Sequence, residues 1–174
     1  MDTEVLHLEA DAVAYILGRD GSTKRRLEGS SGCKVEVGQD KVEISGTTPE
    51  RQLARLCIEM TLQQRKGKMD IDFDVLGKRE DCLTLDVPKV CVGFVLGNRG
   101  GTLRQFEEKC RAYMVFDNDT ERDGKKRLYI LGKEKSRLRA SDMVQEAVDH
   151  RMSRPDGGPP NGNRDRRKER NGGG

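Results

Sequence analysis

Apolar and polar residues follow one another in a fixed order along the first part of the chain. Alternation of the two types predicts strands, and a spacing of three or four residues predicts helices. Strands are predicted at 4–8, 33–37 and 42–45, and a short apolar helix is predicted at 12–17. A second helix follows residue 21, and a long amphipathic helix begins near Thr48-Pro49, where the cap residues fit. The predicted order is βααββα.

The same order returns in the second part of the chain. Strands are predicted at 82–87, 113–116 and 128–131, and helices at 89–96 and after residue 100. Ala140, Val144, Ala147 and Val148 form the apolar stripe of a final helix. The segment DNDTERDGKK (117–126) is strongly polar and predicts a loop between the last two strands.

The two parts also match residue by residue. VAYILGRDGSTKRRLE (13–28) aligns without a gap on VGFVLGNRGGTLRQFE (92–107), so that Gly18 falls on Gly97 and Gly21 on Gly100. A duplication accounts for this match. We therefore predict an α+β protein of two consecutive units, residues 3–66 and residues 81–152.

Two segments lie outside the repeat. In the linker (67–80), Ile71, Phe73 and Val75 alternate with aspartates, which predicts an extra strand that pairs with 82–87. The tail (153–174) is rich in Arg, Gly and Pro and has no apolar periodicity. Such a composition cannot bury a core, so the tail is predicted to be disordered.

Composition and charge narrow the class of partner. Trp is absent and aromatic residues make up 4% of the chain, which argues against readers that stack bases on an aromatic sheet. Residues 151–174 contain seven Arg or Lys and three Asp or Glu, whereas residues 1–150 contain 26 basic and 27 acidic side chains. A nearly neutral body must bind nucleic acid through local patches and not through a global field.

Enzyme chemistry finds no support in the sequence. The five cysteines form no CxxC pair, and the two histidines stand far from any nucleophile or metal-ligand cluster. We therefore predict no catalysis, no cofactor and no metal. The N-terminal stretch is acidic and no long apolar run is present, so an intracellular protein without membrane attachment is expected.

The two glycine-bounded turns are where binding chemistry is expected. Each turn opens a helix whose free N–H groups and positive dipole end suit a phosphate. Glycine at both ends lets a nucleic-acid backbone approach without meeting a Cβ. The residues predicted to form the two RNA-binding turns and their surroundings are Gly18, Arg19, Asp20, Gly21, Lys24 and Arg25 in the first unit, and Gly97, Asn98, Arg99, Gly100 and Arg104 in the second.

YILGRDGSTKRRLE and FVLGNRGGTLRQFE, with the element order around them, resemble the KH domains of the eukaryotic type (type I). The resemblance covers nearly all of residues 3–150. It implies two consecutive type I KH domains, each a three-stranded antiparallel sheet packed against three helices. It also implies RNA binding in post-transcriptional regulation, in which the GxxG loop clamps about four nucleotides beside an apolar groove.

The resemblance further implies which residues line the two grooves. They are Ala14, Ile16, Leu17, Leu27, Val35 and Val37 in the first unit, and Gly93, Val95, Leu96, Phe106, Met114 and Phe116 in the second. Lys34 and Tyr113, on the strands beside the grooves, are expected to reach base edges.

One residue departs from the family pattern. Asp20 places a carboxylate between the glycines of the first loop, where it repels phosphate. The leading hypothesis is that both units bind single-stranded RNA, with single-stranded DNA as an alternative ligand. The second hypothesis is a protein-interaction scaffold in which the first or both units have lost nucleic-acid binding.

Overall fold

The computed structural model of this chain describes residues 2–67 and 69–154, with the backbone alone for residues 118–122. The predicted tail therefore lies, beyond Arg154, outside the described residues. The first unit comprises β1 (Asp2–His7), α1 (Ala10–Leu17), α2 (Ser22–Ser31), β2 (Lys34–Val37), β3 (Lys41–Gly46) and α3 (Thr48–Arg65). The helix α4 (Phe73–Gly77) follows in the linker. The second unit comprises β4 (Cys82–Pro88), α5 (Lys89–Leu96), α6 (Gly101–Cys110), β5 (Tyr113–Arg122), β6 (Lys125–Leu131) and α7 (Glu134–Met152).

Each unit contains one antiparallel sheet with its last strand in the middle. The strand orders are β1-β3-β2 and β4-β6-β5. Three helices of each unit pack on one face of its sheet, where alternate strand residues such as Val35, Val42 and Ile44 are fully buried. The predicted fold class, two α+β units of order βααββα, is confirmed.

The long helix α3 begins at a reciprocal cap. The Glu50 backbone N–H donates to Thr47 Oγ1 at 3.4 Å, and the Thr47 backbone N–H donates to Glu50 Oε1 at 3.0 Å. These bonds satisfy donors that the helix cannot pair internally, and the hydrogen bond from the Thr47 backbone N–H lowers the pKa of the Glu50 carboxyl. Leu53, Cys57 and Met60 then face the core of the first unit.

The extra strand predicted in the linker is not formed. Residues 73–77 are helical because Asp72 Oδ1 accepts hydrogen bonds from the backbone N–H groups of Asp74 and Val75, at 3.1 and 3.2 Å. Ile71 and Phe73 pack against the core, whereas Val75 is exposed. The alternation of the linker thus reflects contacts with the neighbouring sheet and not a strand.

The polar loop predicted at 117–126 is also replaced by regular structure. The backbones of β5 and β6 extend through most of it and leave a two-residue turn at Asp123-Gly124. Both turn residues have positive φ, 54° and 74°, as a type I′ hairpin turn requires. The strand register shifts between Phe116 and Glu121.

The second sheet is buried on both faces. Met114, Phe116, Leu128 and Ile130 face the helices of the second unit. Tyr113, Val115, Tyr129 and Leu131 point the other way and join the core of the first unit. Across this interface the hydroxyls of Tyr113 and Thr61 lie 2.9 Å apart, and the rings of Tyr129 and Phe73 have centroids 5.0 Å apart.

A buried ion pair joins α2 to α6 across the same interface. Arg26 Nε donates to Glu107 Oε2 at 2.7 Å, and the Arg26 guanidinium lies 4.3 Å from the centroid of the Tyr113 ring. Glu107 also accepts a hydrogen bond from the Met114 backbone N–H at 3.2 Å. Burial raises the pKa of the Glu107 carboxyl, and the charge of Arg26 opposes that shift. The two units therefore pack against each other through an extensive interface and are not two separate domains joined by a free linker.

Candidate nucleic-acid interface

Each glycine-bounded turn is a single 3-10 turn between two helices. The first glycine of each turn, Gly18 or Gly97, has φ of 72° with extended ψ. A Cβ at either position would overlap the side chain of the threonine five residues later, Thr23 or Thr102. Both the backbone conformation and the lack of space therefore require glycine there.

The middle and end of each turn also adopt positive φ. Asp20 and Arg99 both have φ of 55°, and Gly21 and Gly100 have φ of 74° and 73°. A Cβ added at Gly100 would meet no atom within 4 Å, so the outer side of the second turn is open to a ligand. The two turns share one backbone geometry although their side chains differ in charge.

The helices that follow the turns leave N–H groups available. Neither α2 nor α6 has a side-chain cap at its N-terminus, and neither carries an acidic residue in its first turn. Uncapped N–H groups at the positive end of a helix dipole are suited to an anionic oxygen. The predicted phosphate site is therefore geometrically available in both units.

The charges around the two turns differ. In the first, Arg19 and Asp20 are both exposed, Lys24 is half-buried, and Arg25 Nη1 donates to the Asp20 backbone carbonyl at 2.7 Å. In the second, Asn98, Arg99 and Arg104 are exposed and no acidic residue lies within the turn. The second turn thus presents cationic side chains without an adjacent carboxylate.

A cavity of about 420 Å³ adjoins the second turn, and we call it the second groove. Its wall in the second unit includes Leu96, Arg99, Gly100, Leu103, Arg104, Met114, Phe116 and Lys126. Leu96, Leu103, Met114 and Phe116 contribute its apolar surface, and Arg99, Arg104 and Lys126 contribute three cations. Lys126 Nζ lies 5.7 Å from the centroid of the Phe116 ring. Leu103 and Lys126 were not predicted as groove residues, although Lys126 follows an Asp-Gly dipeptide, which is a hairpin-turn signal in the sequence.

Several predicted groove residues lie in the core. Ile16, Leu27, Val35 and Val95 expose none of their surface, since each points from its helix or strand toward the packed interior. In this structure they support a groove from beneath and offer no surface to a base. Leu17 is 40% exposed, and Leu96 is half-buried at the cavity wall. Met114 is 1% exposed, although it borders the second groove.

The two strand residues expected to read base edges do not face a groove. Lys34 Nζ pairs with Glu36 Oε1 at 2.9 Å on the sheet face opposite Val35, because strand side chains alternate. Tyr113 is fully buried between the units. Its hydroxyl is bound to Thr61, and burial raises its pKa. The structure corrects both expectations, because the strands direct these two side chains away from a groove.

The cysteines are free thiols, four buried and one half-buried. Burial raises the pKa of Cys82 to about 11, which makes its thiolate scarce at neutral pH. Among the side chains that the structure describes, no group of three or more His, Cys, Asp or Glu is placed to hold a metal ion. Over the same residues, no helix has the length and apolar character needed to cross a membrane.

Comparison with known proteins gives a family match in both units. The family model described as KH domain matches residues 3–60 and 83–146. These two stretches contain both glycine-bounded turns and cover more than half of the chain. The match is therefore to the same parts that the internal repeat defines.

Two curated relatives illustrate the similarity. Far upstream element-binding protein 2 of Homo sapiens is 27% identical over 161 residues, which cover 86% of this chain and 23% of that protein. Far upstream element-binding protein 1 of Rattus norvegicus is 26% identical over 158 residues, covering 84% of this chain and 24% of that protein. The chain spans about a quarter of the length of these relatives.

Solved structures give weaker similarity. Dim2p from Pyrococcus horikoshii OT3 is 20% identical with a TM-score of 0.33, covering 85% of this chain and 91% of that chain. A chain of the a/eIF2alpha-aDim2p-rRNA complex from the same organism is 19% identical with the same TM-score, covering 97% and 93%.

Proposed function

Because this chain belongs to the KH domain family, we propose that it binds single-stranded RNA through its two glycine-bounded turns. Each turn holds the phosphate backbone, and each adjoining groove receives about four nucleotides. The observation that carries the proposal is the second turn, where an open Gly100, an uncapped helix and the cation of Arg99 meet at one end of a cavity that has both apolar and cationic walls.

The second unit is the stronger binder in this proposal. Its turn presents Asn98 and Arg99, whereas the first turn presents Arg19 beside Asp20. At a separation of 4 Å, two like charges repel by about 1 kcal/mol in water and more where solvent is partly excluded. A carboxylate in the first turn therefore offsets much of the attraction that Arg19 supplies.

The first unit then serves as a weaker second contact on the same strand. Two linked sites gain affinity because binding at one raises the effective concentration at the other. The fixed packing of the units supports this role, since it removes the entropy cost of aligning two free domains. We expect an intracellular protein, where free thiols such as those of the five cysteines persist reduced.

A matched pair of turn variants tests the proposal. Asn98→Asp/Arg99→Asp and the single change Arg19→Asp each place two carboxylates between the glycines of one turn. Asp20 already adopts φ of 55°, so aspartate is compatible with the backbone at the equivalent Arg99. The affinity of the full chain for a pool of short single-stranded RNAs is measured by fluorescence anisotropy at two salt concentrations, with single-stranded DNA of the same sequences as a comparison.

We expect the second-turn variant to weaken binding by about a hundredfold, the loss of two charge-assisted phosphate contacts. The first-turn variant is expected to weaken it by about tenfold or less. Equal losses would instead indicate two equivalent clamps. A wild-type chain that binds neither nucleic acid at low salt would overturn the proposal and favour the scaffold, for which the exposed Asp20 is the supporting observation.

A further inference from the structure

The second groove is not enclosed by the second unit alone. Part of its wall comes from the first unit and the linker, namely Tyr15, Arg26, Gln64, Gly67 and Met69. These residues come from α1, α2, the end of α3 and the segment after it. A ligand that leaves the apolar floor of the groove in this direction therefore meets side chains of the first unit.

Tyr15 is the aromatic side chain that the first unit contributes to this wall. It is 36% exposed, and the Arg65 guanidinium lies 5.6 Å from its ring centroid. Arg65 is in turn held by Asp11, with Nη2 and Oδ2 2.9 Å apart. The equivalent residue of the second unit, Phe94, instead lies against the His150 ring of its own unit. The two copies of one position thus have different surroundings.

Gln64 supplies the hydrogen-bonding capacity of the same wall. It is exposed in the last turn of α3, and its amide offers both donors and an acceptor. The neighbouring Gln63 is engaged elsewhere, since its Oε1 accepts from the Asp70 backbone N–H at 2.8 Å. That bond ties the segment after α3 to the helix and so helps to place Gly67 and Met69 at the cavity.

The charges of the cavity favour a nucleic-acid strand as the occupant. Arg26 is neutralised by Glu107, the one acidic residue among those that line the cavity. Arg99, Arg104 and Lys126 remain as cations around an apolar floor. Cations spaced around apolar and aromatic surface suit alternating phosphates and bases.

We infer that the second groove is a composite site, in which Tyr15 stacks on a base of the bound RNA and the Gln64 amide bonds the edge of that base. This inference rests on the proposed RNA binding and adds the first unit as a direct reader in the groove of the second. The wall is held in place by the interface, through the Arg26–Glu107 and Thr61–Tyr113 pairs. The first unit would then contribute to recognition even when its own turn binds weakly.

The test uses four substitutions in the full chain. Tyr15→Ala removes the ring, and Tyr15→Phe retains it without the hydroxyl. Gln64→Ala removes the amide, and Gln52→Ala is its matched control, because Gln52 is an exposed glutamine on the same helix about 18 Å away. The probe is the tightest-binding RNA from the pool, about 12 nucleotides long, which exceeds the roughly four nucleotides that each of the two units is expected to bind. Thermal unfolding of each variant checks that the fold is kept.

We expect Tyr15→Ala to weaken binding about tenfold, the loss for one stacked base, with Tyr15→Phe close to the wild type. Gln64→Ala should weaken binding about threefold, and Gln52→Ala should have no effect. A 4-thiouridine in the probe should cross-link to the peptide that contains Tyr15.

The other possible outcomes distinguish failure of the composite site from failure of RNA binding. If Tyr15→Ala and Gln64→Ala bind like the wild type while Asn98→Asp/Arg99→Asp loses binding, the composite site is overturned and RNA binding stands. An equal loss for Tyr15→Phe and Tyr15→Ala overturns stacking, as does a loss for Gln52→Ala that matches the loss for Gln64→Ala. If the wild type binds no RNA, the proposed function and the composite site fall together.

Discussion

The outer faces of the two sheets differ at equivalent positions. In the first unit the face turned away from its helices carries Lys34, Glu36, Glu43 and Ser45, in a strand pattern that alternates with buried residues. In the second unit the matching positions carry Tyr113, Val115, Tyr129 and Leu131, all buried. The two copies of the fold therefore differ in the outer face of the sheet, which is mostly polar in the first unit and apolar in the second.

The difference explains how a repeat becomes a single body. An apolar sheet face needs a cover, and α3 with the linker residues Phe73 and Leu76 supplies it. The first sheet needs no such cover, since its outer face is polar apart from the exposed Val5. Tandem copies of a small domain can thus become asymmetric through changes at a few strand positions, without change to the element order. The second unit depends on the first, and its groove gains a wall from it.

The largest expected effect comes from exchanging residues between these faces. Val115→Glu gives the second sheet the residue of the first and buries a carboxylate, whose pKa a fully buried site raises by several units. We expect a loss of about 4 kcal/mol in the free energy of unfolding at pH 7, measured by urea denaturation. The reciprocal Glu36→Val should change the stability by less than about 0.5 kcal/mol.

The pH dependence sharpens this comparison. Because the pKa of the new carboxyl is raised in the folded state, its protonated form is the one that the fold accepts. The deficit of Val115→Glu against the wild type should therefore shrink as the pH is lowered toward 4, whereas that of Val115→Gln should stay constant. Equal stability of Val115→Glu and Glu36→Val would mean that the second sheet does not depend on its cover.

A second effect is expected at the ion pair between α2 and α6. Arg26→Met leaves Glu107, with 1% of its side chain exposed, without its partner. Loss of one member of a buried pair costs about 3–5 kcal/mol, and the lower end applies here because Arg26 keeps 16% exposure. Chemical denaturation should give a loss of about 3 kcal/mol.

The neighbouring Arg25 is the control for that substitution. Its guanidinium is exposed and bonds a backbone carbonyl of the first turn, so Arg25→Met should cost less than about 1 kcal/mol. Arg26→Met/Glu107→Gln should recover part of the loss, since no unpaired charge then remains buried. A single substitution at Arg26 without effect on stability would argue against a tight interface.

Much of this architecture could be predicted from the sequence. The element order follows from local periodicity, and the turns at Gly18 and Gly97 follow from the internal repeat. The continuous apolar runs YMVF (113–116) and LYIL (128–131) also carried a readable signal, since a strand buried on both faces loses its alternation. The Asp123-Gly124 pair was likewise a readable hairpin turn within the stretch predicted as a loop.

The rest depends on packing between distant parts of the chain. Arg26 and Glu107 are 81 residues apart, and neither has a local pattern that distinguishes a buried ion pair from an exposed helix charge. Tyr15 borders the second groove only because the two units pack in one orientation. The family resemblance implied that Ile16 and Val35 line a groove, but the sequence does not distinguish an apolar residue that faces a groove from one that faces the core.

The smallest expected effect concerns the hydroxyl pair between Thr61 and Tyr113. Tyr113→Phe keeps the ring, its burial and its contact with Arg26, and removes one hydrogen bond of 2.9 Å. Thr61 keeps its bond to the Cys57 backbone carbonyl at 2.7 Å, so no donor is left unpaired. We expect a loss of about 1 kcal/mol in the free energy of unfolding. Tyr15→Phe, which removes the hydroxyl of a partly exposed ring, is the control and should lower the free energy of unfolding by less. An equal loss for Tyr15→Phe would mean that the interface hydroxyl of Tyr113 contributes no more than an exposed one.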